Sequence, residues 1–172
     1  MNPLDDAKRP AVSCRKAFTL VEAVASSLVV SIMFVAAMST VGASRLSQYK
    51  TSLASRGQLL AEALVAEILQ QNYKEPTGQP AFGCESGEST RADFDDVDDY
   101  HGWSSTPPVY KDGTQIPGFA GWRQTVTVQW VDPMDPTQVK PYETSAKRIT
   151  VTILCGNVPV ASLVAIKTAS GY

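Results

Sequence analysis

Four aspartates fall in two adjacent pairs near the middle of the chain: Asp95, Asp96, Asp98 and Asp99. Carboxylate oxygens are the ligands that Ca²⁺ prefers, so one chemistry for this segment is calcium binding, helped by backbone carbonyls. The spacing does not match an EF-hand loop, and neighbouring side chains of an extended chain point to opposite sides. The main prediction is therefore structural: the acids cap a helix or pair with Arg91, Arg123 or Arg148.

His101 is the only histidine of the chain and lies two residues after Asp99. An imidazole beside a carboxylate can act as a general acid or base. The sequence has no Gly-x-Ser-x-Gly nucleophile motif and no pair of histidines for zinc, so we predict that the protein is not an enzyme. The three tryptophans are expected to pack in the core or on a sheet: Trp103, Trp122 and Trp130.

A third candidate functional residue is Glu22, the one charge in the apolar run from Phe18 to Ala43. A carboxylate in a lipid environment is costly unless a partner relieves it. An acid at the fifth position of a membrane segment therefore indicates a function, and its partner has to come from outside the run. The alternative is an interfacial acid on a plain membrane anchor, with its carboxylate reaching the headgroups.

The apolar run that carries Glu22 is long enough to cross a membrane. About 26 helical residues at about 1.5 Å each span about 39 Å, against about 30 Å for the hydrocarbon core. Residues 1–17 before the run are polar and more basic than acidic, so the positive-inside rule keeps this leader in the cytoplasm. Many residues of the run are small, which lets helices approach closely in lipid.

We expect one helix of about 55 residues, with a membrane-spanning half (18–43) and an amphipathic half (44–75). Apolar residues recur at helical spacing in the second half: Leu46, Tyr49, Leu53, Leu60, Leu64 and Ile68. Gly57 weakens this half slightly, and the stretch Glu75-Pro76-Thr77-Gly78 ends it.

Residues 76–172 are predicted to form a globular domain. Prolines and glycines punctuate 76–121, which predicts loops with one short helix or strand among them. Alternating apolar and polar residues predict three strands within 122–168: Trp122–Val131, Lys147–Leu154 and Val158–Ile166. The last two should form an antiparallel hairpin, and the amphipathic helix should cover the apolar face of the sheet. The predicted fold class is α+β, a long N-terminal helix packed on a small antiparallel sheet.

The 15 basic and 17 acidic residues nearly balance, which argues against a nucleic-acid partner. Cys14 precedes the apolar run, whereas Cys84 and Cys155 follow it and would face an oxidising compartment. An even pair there indicates one disulfide, which would close a loop of about 71 residues and contribute about 4 kcal/mol. The alternative is two free, buried thiols.

The start of the apolar run, Lys16-Ala17-Phe18-Thr19-Leu20-Val21-Glu22, resembles the class III signal of type IV prepilins and type II secretion pseudopilins. The resemblance implies that a prepilin peptidase cuts between Ala17 and Phe18 and then N-methylates Phe18. It also implies that Glu22 pairs with the amine of a neighbouring subunit in a filament. Ala17 stands where the family usually has glycine. Ser39 stands where many major pilins have a helix-kinking proline, which fits a minor pilin or pseudopilin.

A second stretch, Asp95 to Trp103 (Asp-Asp-Val-Asp-Asp-Tyr-His-Gly-Trp), resembles minor pilin-like proteins of the mannose-sensitive-haemagglutinin type and prepilin-like proteins of planctomycetes. Gly121-Trp122-Arg123 and the segment from Lys147 to Val151 look similar to the same group. Together with the N-terminal motif, the resemblance covers most of the chain after the expected cut.

These resemblances imply a minor pilin or pseudopilin, a structural subunit of a type IV pilus-like fibre whose partners are the prepilin peptidase and other pilin subunits. It would lie in the bacterial inner membrane as a single-pass protein before assembly, and in the periplasm or a surface pilus afterwards. Two alternatives stay open. One is a pseudopilin of a type II secretion system, and the other is a single-pass binding or adhesion module that never polymerises.

Overall fold

The computed structural model describes residues 19–76 and 81–169. The elements along these residues are helix α1 (Leu20–Gln70), a 3-10 helix (Asp98–Tyr100) and strands β1 (Ser104–Ser105), β2 (Trp122–Trp130), β3 (Ala146–Cys155) and β4 (Val158–Thr168). The chain divides into two compact units between Leu46 and Ser47. The predicted leader, 1–17, and the expected cut between Ala17 and Phe18 lie outside the described residues.

The first part of α1 is exposed on every side. All residues from 19 to 52 are exposed, and large apolar side chains among them, such as Leu20 and Val35, show 82% and 68% of their surface. The hydroxyls in this stretch donate back to carbonyls of the preceding turn: Ser27, Ser31, Ser39 and Thr40. By its length and composition α1 is able to cross a membrane, as predicted.

The helix ends at Gln70, earlier than predicted. Beyond it, the amide of Asn72 donates to the carbonyl of Asp95, and the amide of Val97 donates to the carbonyl of Asn72, both at 3.1 Å. Backbone groups that bond to a distant segment cannot continue the helical ladder, so this bridge rather than Pro76 terminates α1.

Among the described residues, four strands form one antiparallel sheet in the order β1-β2-β3-β4. The three predicted strands and the predicted hairpin of β3 with β4 are confirmed. Gly156 in the hairpin turn has a φ of 61°, the left-handed backbone that a two-residue turn favours. The loop region 76–121 holds the two-residue strand β1, which pairs with Thr125 and Gln124 of β2.

The second half of α1 covers one face of the sheet, as predicted. The buried cluster joins helix residues to strand residues: Leu60, Ala61, Leu64, Val65 and Ile68 with Val126, Val128, Ile149, Val151 and Ile153. For two residues of the predicted apolar face, Leu46 and Tyr49, packing on the sheet is wrong, because they are 57% and 61% exposed. Burial along α1 begins only at Leu53, which is partly buried against the cluster.

Gly57 lies where α1 packs directly on β4. A Cβ atom at this position would be 2.9 Å from Val160 Cγ2 and 3.1 Å from Ala161 Cβ. A glycine lowers helix propensity, but here it gives the two elements room to meet.

Candidate functional site

The four predicted calcium ligands do not meet at one point. Asp96 Oδ1 accepts hydrogen bonds from the amides of Asp98 (2.7 Å) and Asp99 (3.3 Å), so it holds the start of the 3-10 helix. Burial, together with the hydrogen bond and the charge of Asp98, raises the pKa of Asp96 to about 8. Asp96 therefore has a structural use, as the main prediction proposed.

Asp98 forms a buried ion pair with Lys147, and the two side chains are only 4% and 3% exposed. Lys147 Nζ also donates to the carbonyl of Tyr73 and lies 4.6 Å from the centre of the Tyr73 ring. Lys147 of β3 therefore connects the 3-10 helix to the sheet and to the segment that follows α1.

The arginines proposed as partners of the aspartates bind elsewhere, which corrects that prediction. Arg91 pairs with Glu67 of α1. Arg123 and Arg148 donate to neutral side chains, the hydroxyl of Thr106 and the amide oxygen of Gln129, at 3.1 Å and 2.7 Å.

The other two aspartates face acids that sequence reasoning did not include. Carboxylate oxygens of Asp95, Glu75 and Glu88 lie within 4.8 Å of one another. A carboxylate oxygen of Asp99 lies within the same distance of Glu88 and of the Cys84 sulfur. We call Glu75, Glu88, Asp95 and Asp99 the acidic cluster. Nothing in the spacing of these residues signals it, because they come from three separate stretches of the chain.

The predicted disulfide between Cys84 and Cys155 is not present in the structure, where both cysteines are free thiols. Cys84 Sγ donates to the carbonyl of Asp99 in the 3-10 helix at 3.2 Å, whereas Cys155 is the last residue of β3 and is paired with Trp122 of β2.

His101 has a structural place beside β2. Its Nδ1 accepts a hydrogen bond from the amide of Val128 at 3.2 Å, and its ring lies 5.1 Å from that of Phe82. Phe82 also packs edge-on against Trp130, and Trp122 is 4% exposed in the core, so these tryptophans pack as predicted.

Glu22 lies in the first turn of α1 and is exposed. Its amide donates to Thr19 Oγ1 at 3.3 Å, so Thr19 caps the helix. The Thr-x-x-Glu pattern is typical of a capping box, and the helix dipole favours an acid in the first turn. The position in the first turn is thus a local reason for an acid here that the sequence reasoning did not consider.

Sequence reasoning also missed the contacts of Glu67. The Tyr100 hydroxyl donates to Glu67 Oε1 at 2.8 Å, and Arg91 binds both carboxylate oxygens. These partners lie 33 and 24 positions from Glu67, too far apart for any helical or strand period to reveal them.

Comparison with known protein families, curated proteins and solved structures found no match for this chain.

Proposed function

We propose that this protein is a minor pilin or pseudopilin, a subunit of a type IV pilus-like fibre that α1 first anchors in a membrane. The observation that carries the proposal is the contrast along one 51-residue helix. Residues 19–43 are apolar apart from a few hydroxyls and the one charge of Glu22, and all of them are exposed, whereas Leu60, Leu64 and Ile68 are buried in the cluster shared with the sheet. A subunit that passes from a bilayer into a helical bundle needs such a helix, since lipid covers the apolar half first and neighbouring helices cover it later.

The polar groups of the apolar half support the same use. The hydroxyls of Ser27 and Ser31 donate to carbonyls of their own helix at 2.8 Å, so these two groups do not require water. Small residues also leave room for a second helix to approach.

Glu22 is the residue that we assign to assembly. Cleavage before Phe18 would create an amine at the membrane surface, and this amine on one subunit would pair with the exposed Glu22 carboxylate of another. The pairing relieves an acid in apolar surroundings and sets the axial position of the incoming subunit.

The mature N-terminus tests the proposal directly. The full chain is expressed in cells with an active prepilin peptidase, and mass spectrometry determines its first residue. We expect a chain that begins with N-methylated Phe18. The control is the same chain from cells that lack the peptidase, which should retain residues 1–17.

Retention of residues 1–17 in the cells with active peptidase would rule the proposal out. That result would favour a single-pass binding module that never polymerises, because such a protein needs no cleavage.

A further inference from the structure

Lys147 and Asp98 form an ion pair that is almost completely removed from solvent. Their side chains are 3% and 4% exposed, whereas those of Lys140 and Asp132, a pair of the same two residue types, are 25% and 31% exposed. Taking two opposite charges out of water is costly, and their attraction often fails to repay that cost. A reaction that removes both charges is therefore favoured at the buried pair and not at the exposed one.

The surroundings of the pair hold the amine against the carboxyl group. Lys147 Nζ donates to Asp98 Oδ1 and to the carbonyl of Tyr73, and it lies 4.6 Å from the centre of the Tyr73 ring. The amide of Gly83 donates to Asp98 Oδ2 at 3.4 Å. Groups that a fold keeps in contact react as if they were far more concentrated than in solution, so condensation between them becomes feasible.

A third carboxyl group, that of Asp96, lies beside the pair. The side chains of Asp96 and Asp98 hydrogen-bond to each other, which requires a proton on one of the two carboxyl groups. Asp96 is 1% exposed, and burial raises its pKa to about 8, so at neutral pH Asp96 keeps the proton. A buried acid in this position can supply a proton to a departing oxygen.

The three side chains line one cavity of about 160 Å³. The rings of Phe82 and Trp130, which pack edge-on with centres 4.6 Å apart, line the same cavity and make part of its wall apolar. Lys74 and Glu143 also line it, and their side chains are 49% and 44% exposed, so the cavity reaches the surface. It has room for a water molecule to leave, since one water takes about 30 Å³ in the liquid.

We propose that Lys147 and Asp98 condense to an amide, an intramolecular cross-link between β3 and the 3-10 helix, with Asp96 as the proton carrier. The bond from Nζ to the Asp98 Cγ forms, and one Cγ–O bond breaks. The ammonium loses two protons, and the first passes to the Asp98 carboxylate within the ion pair. Asp96 gives its own proton to the departing hydroxyl and takes the second proton from the nitrogen. One water leaves, the net charge is unchanged, and Asp96 ends with its proton restored.

The product satisfies the same neighbours as the ion pair. A secondary amide keeps one N–H, which the carbonyl of Tyr73 accepts, and its oxygen accepts from the amide of Gly83. The two buried charges are gone. The new bond joins residues 49 positions apart, so it restricts the unfolded chain and raises Tm. The reaction needs no second protein and no filament, so its outcome is independent of the proposed function.

Peptide mapping detects the cross-link. The full chain in detergent micelles is denatured under reducing conditions and digested with trypsin, and mass spectrometry identifies the peptides. Trypsin does not cut after an acylated lysine, so residues 92–111 and 124–148 should appear as one linked species. Its mass should equal the sum of the two peptides less one water, about 18 Da. Unlinked peptides, or a loss of water confined to one of them, would overturn the proposal.

Variants separate the cross-link from the ion pair. Lys147→Arg keeps a cation beside Asp98, but a guanidinium does not replace the reacting amine, so the linked species should be absent. The wild type should also melt about 10 °C above this variant. Lys140→Arg is the matched control at the exposed pair, and its linked fraction should equal that of the wild type.

Asp96→Asn tests the proton carrier. The asparagine keeps an oxygen that accepts from the amides of Asp98 and Asp99, but it has no acidic proton. Condensation should slow at least about a hundredfold, measured as the linked fraction over time after synthesis. An unchanged rate would remove Asp96 from the reaction. The digest of the wild type decides the cross-link itself, even where a variant fails to fold.

Discussion

The guanidinium of Arg91 binds the carboxylate of Glu67 through two parallel hydrogen bonds, from Nε to Oε1 at 2.8 Å and from Nη2 to Oε2 at 2.6 Å. Arg91 Nη1 donates further to the carbonyl of Val109 at 2.9 Å. The pair thus connects α1 to two parts of the loop region. Because that region has few ladder hydrogen bonds, side-chain contacts of this kind hold it in place.

Replacing Arg91 tests how much this connection contributes. The two side chains are 6% and 20% exposed, so Arg91→Ala leaves a largely buried carboxylate without its partner and should lower the free energy of unfolding by about 3–5 kcal/mol. Arg91→Lys should lose less, because it keeps the charge but not the paired geometry. Urea denaturation of the full chain in micelles measures both.

The control for Arg91 is the exposed ion pair of Lys74 with Glu143, whose side chains are 49% and 44% exposed. Lys74→Ala should cost less than about 1 kcal/mol. Equal losses for Lys74→Ala and Arg91→Ala would contradict the role of the buried pair.

Acid should weaken the same connection. Burial acts to raise the pKa of Glu67, but the hydrogen bonds from Arg91 and Tyr100 and the charge of Arg91 outweigh it, so the pKa lies below its ordinary value of 4.5. Between the lowered pKa of Glu67 in the folded chain and its ordinary pKa in the unfolded chain, the unfolded chain binds more protons. The free energy of unfolding therefore rises with pH in this range. The contribution is complete above about pH 4.5 and is lost as pH falls through the folded pKa.

The measurement compares the wild type with Glu67→Gln from pH 7 to pH 3. The difference in free energy of unfolding should stay constant down to about pH 5 and shrink below about pH 4.5. A difference that is as large at pH 3 as at pH 7 would show that the charge of Glu67 is not responsible.

Gly57 should not tolerate a side chain. In an exposed helix, Gly→Ala stabilises by about 1 kcal/mol, but here the new methyl group would press on Val160 and Ala161 of β4. We expect Gly57→Ala to destabilise by about 1–2 kcal/mol and Gly57→Leu by more. Gly42→Ala is the control, since nothing lies within 4 Å of its position. Stabilisation by Gly57→Ala in thermal melts would refute the close packing.

The two cysteines should both react with a thiol reagent without prior reduction. Cys84 is exposed and should be alkylated in the native chain, whereas Cys155 is half-buried and should react fully only after denaturation. Peptide mapping by mass spectrometry locates each modification. A peptide pair linked through Cys84 and Cys155 would restore the disulfide that the structure lacks.

Glu22→Ala should separate assembly from folding. The variant should accumulate in the membrane with its β-sheet unit folded, yet be absent from fibres sheared from the cells. Glu62→Ala is the matched control, because Glu62 is an exposed acid of α1 outside the apolar run, bound to Gln58 at 3.0 Å. Normal amounts of Glu22→Ala in the fibres would remove the assembly role.

Short-range patterns were enough to predict the regular elements. Alternation marked β2 and β3, and their inward residues, such as Val128 and Ile149, are fully buried. A short helix or strand was predicted within 76–121, but the place of β1 was not, because two residues are too few to form a pattern. The end of α1 was misplaced because a bridge from Asn72 to a distant segment, rather than a nearby proline, terminates the helix.

The candidate site was only half visible in the sequence. Asp95 and Asp99 were among the predicted ligands, but Asp96 and Asp98 have structural partners instead. Glu88, whose carboxylate lies close to those of Asp95 and Asp99, was not predicted because it lies outside the two aspartate pairs. Which carboxylates share a site depends on how the loop region folds, and no local period describes that folding.

By itself the sequence determined a long helix with an apolar half, the strands of the sheet and the place of Glu22 in the first helical turn, because residue types at spacings of two to four positions specify these features. Only the tertiary structure decided that Arg91 binds Glu67, that Lys147 binds Asp98 and that the cysteines stay apart. Each of these contacts joins residues many positions apart, and their partners are selected by the packing of the loop region on α1 and the sheet.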